Sequence, residues 1–122
     1  MSGNPEFGAL IRALREAKKR KDPDFSLRKF ATAIGISATF LSKVETGEFA
    51  PPAPERIIKM AELLGQNPDE LLALADKHAP DLSEIIKDKP KAMADFLRTV
   101  KETDLPEEEL RKLTQQIRDR KE

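Results

Sequence analysis

The sequence predicts an all-α protein with a five-helix domain at residues 6–76 and a small helical extension at residues 80–122. Apolar residues recur at spacings of three and four in both parts, as they do on one face of an α-helix. No segment shows the strict alternation that is typical of a half-buried strand. The nine prolines fall mostly between the periodic segments, where proline starts helices or forms loops.

Helix one is expected from Glu6 to Lys21, and residues 1–5 are expected to carry no information about the fold. Its apolar stripe consists of Phe7, Leu10, Ile11, Leu14 and Ala17. The loop that follows contains Phe25, and we expect this ring to fasten the loop onto the core.

Residues 26–47 predict a helix, a four-residue turn and a second helix. Ser26 and Ser37 are suited to cap the two helices, and Gly35 supplies the positive φ that ends the first one. The buried stripes are expected at Leu27, Phe30, Ala31 and Ile34, and then at Phe40, Leu41 and Val44. The other face of the second helix is short or polar and is free to meet another molecule; it carries Ala38, Thr39, Ser42 and Lys43.

Two further helices complete the predicted domain. Helix four is expected to start at Pro54 or Glu55 and to stop at Gly65, and Pro68 with two acidic residues opens helix five. Their inward side chains are expected to be Ile57, Ile58, Ala61, Leu64, Leu71, Leu72 and Ala75.

The extension is expected to form three helices, at residues 81–87, from Pro90 and from Pro106. Their apolar stripes carry Leu82, Ile85, Ile86, Met93, Phe96, Leu97, Val100, Leu110, Leu113 and Ile117. So few apolar residues cannot build an independent core of useful size. The extension must therefore pack on the first domain or on another chain.

Residues 7–72 resemble the phage-repressor and Cro-like helix-turn-helix family, often called Xre. The matching residues are Arg12, Arg15, Ala31, Gly35, Ile36, Ser37, Leu41, Ser42, Glu45, Thr46 and Gly47, and residues 54–64 and 67–72 fit the last two helices. A helix–glycine–helix motif alone is common, but the combination over more than sixty residues is specific. The resemblance implies a lambda-repressor-like domain in a transcriptional regulator, a repressor, that binds double-stranded DNA as a homodimer.

The family also implies roles for individual residues of the helix-turn-helix. The recognition helix, at about residues 37–46, would direct Ala38, Thr39 and Lys43 to base edges. The DNA backbone would be contacted by Ser26, Arg28, Lys29, Ser37, Ser42 and Thr46. The family commonly has Gln where this chain has Leu27, and none of the base-facing residues is an amide that binds adenine at two points. Direct readout is therefore expected to be modest, with a larger contribution from DNA shape.

A structural role is implied for Arg15 and Glu45. In the family, an arginine at the first position pairs inside the domain with a glutamate at the second. The alternatives are a DNA contact for Arg15 and, for Glu45, acceptance of a hydrogen bond from cytosine.

The net charge is zero, but its distribution is uneven. Residues 12–43 hold nine basic and three acidic residues, whereas residues 44–122 hold thirteen basic and eighteen acidic ones. A basic head on an acidic body is typical of a DNA-binding domain with an attached assembly or partner domain. The alternative for residues 18–21 is a solvated helix end that the helix dipole favours.

Several functions remain open for the extension. It can form a homodimer interface, act as a monomeric cap over the five helices, or bind a partner protein, as in an antitoxin or a protease-controlled regulator. A further alternative is a protein-interaction module in which the five-helix domain binds no DNA.

Other function classes are disfavoured by what the sequence lacks. There is no cysteine, the one histidine, His78, has no second ligand at metal spacing, and Glu107, Glu108 and Glu109 fit a solvated helix start. We therefore expect no enzyme activity, no metal and no cofactor. No apolar run has the length of a membrane span or follows the pattern of a signal peptide, so the expected location is the cytoplasm.

Overall fold

The computed structural model describes residues 3–121, which form eight α-helices and contain no strand. The helices are α1 (Pro5–Lys21), α2 (Leu27–Ile34), α3 (Ala38–Glu45), α4 (Pro54–Leu64), α5 (Pro68–Leu74), α6 (Pro80–Asp88), α7 (Pro90–Glu102) and α8 (Glu107–Arg120). The prediction of an all-α protein is confirmed, and each expected helix is present.

The chain divides into two compact units, one ending at Leu82 and the other beginning at Ser83. The dividing point lies inside α6, a few residues after the gap at residues 77–79 that separates the two expected domains. In the first unit, α1 packs against α3, α4 and α5, and α2 packs against α3 and α4. This packing holds the helix pair α2–α3 at the surface of a small helical bundle.

The start of α1 corrects the expectation that the first residues carry no information about the fold. The Asn4 side chain accepts a hydrogen bond from the backbone N–H of Phe7 (2.9 Å), and Pro5 occupies the first turn. These residues make a well-formed N-terminus, because asparagine is a strong N-cap and proline needs no partner there. The Asn4 amide also donates to the carbonyl of Leu74 (2.9 Å), which ties α1 to the end of α5.

The core of the first unit is built from side chains of α1 to α5 and the connecting loops. Its buried apolar members are Phe7, Ile11, Phe25, Phe30, Ala31, Ile34, Leu41, Val44, Ile57, Met60, Ala61, Leu71, Leu72 and Ala75. The rings of Phe25 and Phe30 lie 5.2 Å apart between centroids. The loop residue Phe25 thus packs on the core, as predicted.

In α1 to α5, two predicted inward side chains are exposed, five are only half-buried, and one buried side chain was not predicted. Leu10 and Ala17 are exposed, because the inward face of α1 is the narrower row that runs through Phe7, Ile11 and Arg15. The half-buried side chains are Leu14, Leu27, Phe40, Ile58 and Leu64. Among them, the Phe40 ring packs against the exposed Phe49. Met60, which was not predicted, is fully buried in α4.

The second unit contains the end of α6 together with α7 and α8, and none of its described residues is buried. Large apolar side chains are exposed along these helices: Ile85, Phe96, Leu97, Leu113 and Ile117. This agrees with the prediction that the extension has no core of its own. No helix among residues 3–121 is both long and apolar enough to cross a membrane.

Candidate nucleic-acid interface

The turn between α2 and α3 has the geometry that a helix-turn-helix requires. Gly35 has φ 80°, a left-handed conformation that is costly for other residues, and its N–H bonds to the carbonyl of Thr32 (3.1 Å). The N–H of Ile36 bonds to the carbonyl of Ala31 (3.0 Å). Only three residues separate the two helices, and the Ser37 side chain caps α3 by accepting from the N–H of Phe40 (3.0 Å).

The outward face of α3 is open to another molecule. The predicted base-contacting residues Ala38, Thr39 and Lys43 line a single shallow cleft of about 360 Å³. Ser42 lines it too, and Leu27 and Glu48 complete its border. The side chains are small or carry donors, so a base edge can approach the helix closely.

Of the residues predicted to contact the DNA backbone, Ser42 lies in this cleft, and the others lie at the start of α2 and at the two ends of α3. At the start of α2, Ser26 accepts a hydrogen bond from the N–H of Lys29 (3.1 Å), and Arg28 and Lys29 are exposed in the first turn. Ser37 caps α3, and Thr46 follows its last residue with its hydroxyl on the carbonyl of Lys43 (3.2 Å). Both serines have a structural role as caps, which leaves a contact with phosphate a prediction.

Glu48 is a candidate site residue that the sequence interpretation missed. Its carboxylate lies 3.5 Å from the Lys43 ammonium and accepts a hydrogen bond from the Thr46 hydroxyl (3.0 Å). Lys43 also lies over the Phe49 ring, 5.7 Å from its centroid, and that ring packs against Phe40 at 5.6 Å. The signal in the sequence is an acidic residue followed by an aromatic one directly after Gly47.

Arg15 and Glu45 pair at two points inside the domain. Arg15 Nε and Nη2 donate to the two carboxylate oxygens of Glu45, at 2.7 and 2.9 Å, and both residues are buried. The hydrogen bond to Glu45 raises the pKa of Arg15, the charges of Glu45 and Glu16 act in the same direction, and burial opposes them. The pair joins α1 to the end of α3.

Arg56 is a second residue that was missed. Its guanidinium donates to the carbonyl of Ile34 (2.7 Å), at the C-terminal end of α2. A cation there satisfies a carbonyl left free by the helix end and interacts favourably with the helix dipole. Arg56 thereby fixes α4 against the turn that orients α3.

The basic end of α1 is only partly a solvated surface. The Lys18 ammonium donates to the carbonyl of Leu63 (2.6 Å) and lies 4.5 Å from the centroid of the Phe25 ring. Lys19, Arg20 and Lys21 are exposed. Lys18 therefore has a structural role, and the other three are the cations of this group that remain available to a nucleic acid.

Comparison with known proteins agrees with this geometry. The chain matches the helix-turn-helix domain family over residues 6–74. It is 40% identical over 58 residues to the HTH-type transcriptional repressor RghR of Bacillus subtilis (strain 168), a match that covers 48% of this chain and 39% of that protein. It is 35% identical over 69 residues to the uncharacterized HTH-type transcriptional regulator RghRB of the same organism, covering 57% and 46%.

The matched region spans less than half the length of either relative. No solved structure gives a significant match. The family match covers more than half of the chain, includes α1 to α5 except for Pro5 and contains every residue assigned to the candidate interface. The chain therefore belongs to the helix-turn-helix domain family, as the resemblance of residues 7–72 predicted.

Proposed function

We propose that this protein is a sequence-specific DNA-binding transcriptional regulator, a repressor, that places α3 in the major groove of its operator. The observation that carries the proposal is the open face of α3, where small and donor side chains line one cleft next to exposed cations of α2. Two relatives named as a transcriptional repressor and a transcriptional regulator support the same function.

The proposed contacts follow from the chemistry of the side chains. Lys43 would donate to guanine O6 and N7, and the methyl groups of Ala38 and Thr39 would meet a thymine methyl. Arg28 and Lys29 would neutralise phosphates beside the N-terminus of α2, whose free N–H groups favour an anion. Ser26, Ser37, Ser42 and Thr46 would add neutral hydrogen bonds to the backbone. In this arrangement the Arg15–Glu45 pair supports the site without touching DNA.

We further propose that the protein binds DNA as a homodimer and that α7 and α8 form the dimer interface. Their exposed apolar side chains need a cover, and α8 is self-complementary in charge. In an antiparallel pair of α8 helices, the acidic first turn of one helix would lie beside the basic last turn of the other, and Leu110 would face Ile117. A two-fold dimer presents two recognition helices to two half-sites.

The proposal implies no enzymatic role, and it places the protein in the cytoplasm, where it would meet chromosomal DNA. The exposed faces of α7 and α8 also fit a partner protein, as in an antitoxin-type or protease-controlled regulator. The mass of the purified protein in solution distinguishes a homodimer interface from a surface that binds a partner protein, because a homodimer forms without any partner.

The function is tested by fluorescence anisotropy with two labelled duplexes, the region upstream of the protein's own gene and a scrambled version. We expect the protein to bind the native duplex more tightly than the scrambled one. Binding to both should weaken at higher salt, because binding releases cations from the DNA and this release is less favourable when the salt concentration is high. The preference for the native duplex should be retained. Absence of binding to either duplex at low salt would contradict the proposal and favour a protein-interaction module. The Arg28→Ala/Lys29→Ala variant is expected to weaken binding to both duplexes and to reduce the salt dependence.

A further inference from the structure

The side chains of Lys43 and Glu48 form a donor–acceptor pair on the surface that would face DNA. The Lys43 ammonium and a Glu48 carboxylate oxygen lie 3.5 Å apart, and both residues line the cleft beside α3. The other carboxylate oxygen accepts from Thr46, which fixes the position of Glu48 relative to the end of α3. A cation and an anion are thus held side by side at one place on this face.

Stability does not account for this arrangement. The side chains of Lys43 and Glu48 are 40% and 60% exposed, and an exposed ion pair contributes little to folding. Thr46 has a second acceptor, the carbonyl of Lys43, for the same hydroxyl. An acidic side chain at a DNA-binding face also repels phosphates, so it is favourable there only if it meets a hydrogen-bond donor.

The major groove offers such a donor next to an acceptor. A G·C pair presents O6 and N7 of guanine as acceptors and the N4 amino group of cytosine as a donor. An A·T pair presents thymine O4, an acceptor, where cytosine carries its amino group, and a carboxylate is repelled there. The ammonium and carboxylate therefore match a G·C pair and mismatch its replacement by A·T.

We infer that Lys43 and Glu48 together read one G·C base pair, with Lys43 donating to guanine and Glu48 accepting from the cytosine amino group. This inference rests on the proposed function, and it makes Glu48 a specificity-determining residue. It also supplies the two-point contact that α3 lacks, since no amide side chain lies on its outward face. The ion pair pre-positions both side chains and limits the freedom that binding must remove.

The experiment is selection of binding sites from a library of random duplexes by the wild type and by Glu48→Gln and Lys43→Gln. The matched control is Glu62→Gln, because Glu62 is equally exposed, pairs with Lys59 at 3.7 Å and lies on α4 outside the cleft. We expect the wild type to select G·C at one position and both variants to lose that preference at the same position. The control should retain it.

The size of the effect is then measured with two duplexes that differ only at that position. For the wild type, replacing G·C by A·T is expected to raise the Kd about tenfold, and Glu48→Gln should reduce this ratio to less than about threefold. The Lys43→Gln/Glu48→Gln double variant should lose no more of the G·C preference than either single variant, because both residues read the same base pair. Unchanged melting temperatures show that the variants remain folded.

Four results would overturn the inference. The inference fails if Glu48→Gln tightens binding to all duplexes equally and keeps the wild-type base preference, because the carboxylate would then only repel phosphates. Selection of A·T by the wild type at the position that both variants affect would also contradict it. If the wild type selects no site at all, the proposed function fails as well, whereas a clear wild-type site that is insensitive to Glu48 removes only this inference.

Discussion

At the scale of the residue, Glu45 shows how position in the fold decides the role of a charge. Glu45 is on the recognition helix, yet it is buried and turned toward Arg15 of α1. Glu48, three residues later, is exposed at the cleft. Two glutamates so close in sequence thus have different environments, because the end of α3 lies between them.

Replacing Glu45 by alanine is expected to lower the free energy of unfolding by about 3–5 kcal/mol, because Arg15 would stay buried without its counter-ion. Thermal denaturation followed by circular dichroism measures the loss, and Glu62→Ala, an exposed control, should change it by less than about 0.5 kcal/mol. The variant Arg15→Met/Glu45→Leu should recover part of the loss. A stable Glu45→Ala protein with an altered DNA preference would instead assign Glu45 to base recognition.

The same pair sets a pH dependence whose direction follows from the raised pKa of Arg15. A basic group with a raised pKa in the folded state contributes its full stability below its ordinary pKa and loses it as the pH rises through the raised one. Both values lie far above neutrality. Between pH 6 and pH 9, the difference in melting temperature between the wild type and the Arg15→Met/Glu45→Leu variant, which removes both charges, is therefore expected to stay constant, as paired denaturation curves would show.

Lys43→Ala is expected to weaken binding to the preferred duplex by about 1–3 kcal/mol, with a smaller effect on random DNA. The physical reason is that a base contact contributes only where the right base is present, whereas a phosphate contact contributes everywhere. Anisotropy titrations with both duplexes measure the difference. Equal weakening on the two would show that Lys43 contacts a phosphate.

At the scale of the element, the orientation of α3 depends on a close approach between α1 and α3. A Cβ atom at Gly8 would overlap the backbone carbonyls of Val44 and Glu45, which cannot rotate away. Arg15 and Glu45 join the same two helices one turn or more farther along α1. Arg56 of α4 also bonds to the carbonyl of Ile34 beside the turn. Together these contacts fix the inward side of the recognition helix.

Gly8→Ala is therefore expected to destabilise the domain, although alanine is the better helix former by about 1 kcal/mol. The helices would have to move apart, and such overpacking costs about 1–3 kcal/mol or more when backbone is the obstacle. We expect a net loss of about 1–2 kcal/mol in chemical denaturation. The control Ala9→Ser, at the exposed neighbouring position, should change the free energy of unfolding by less than about 0.5 kcal/mol. If Gly8→Ala instead stabilised the protein, α1 and α3 would not pack this closely.

At the scale of the whole molecule, the two units differ in how they can be stabilised. The first has fourteen buried apolar residues, and the described part of the second has none. The proposed interface through α7 and α8 would supply the second unit with a core formed by two chains. Burial of this kind is concentration-dependent, because it is lost when the chains separate.

Ile117→Glu is expected to raise the dissociation constant of the homodimer at least tenfold. Ile117 is 60% exposed in the single chain. A symmetric dimer would bury one Ile117 from each chain, so the substitution replaces two apolar contacts by two unfavourable charges. Sedimentation equilibrium measures the constant, and Gln116→Glu adds the same charge at a neighbouring exposed position as the control. Equal dissociation of both variants, or a monomeric wild type, would contradict an interface at this face of α8.

The sequence by itself determined the helices and most of their ends, because these follow from local rules. Apolar spacing, serine caps and Gly35 act within a few residues, so all eight helices and the turn between α2 and α3 were predictable. The family resemblance also predicted the pairing of Arg15 with Glu45, which the structure contains, whereas the base-contacting role of the α3 face stays a prediction. Even the missing core of the extension followed from its few apolar residues.

Only the tertiary structure decided which side chains meet across the chain. The inward row of α1 passes through Arg15 and leaves Leu10 exposed, because α3 places Glu45 opposite that row. Glu48 joins Lys43 because the turn at Gly47 folds the chain back onto the end of α3, and Arg56 reaches Ile34 from a helix 22 positions away. Spacing along the chain fixes neighbours on one helix, whereas these contacts depend on how separate elements pack together.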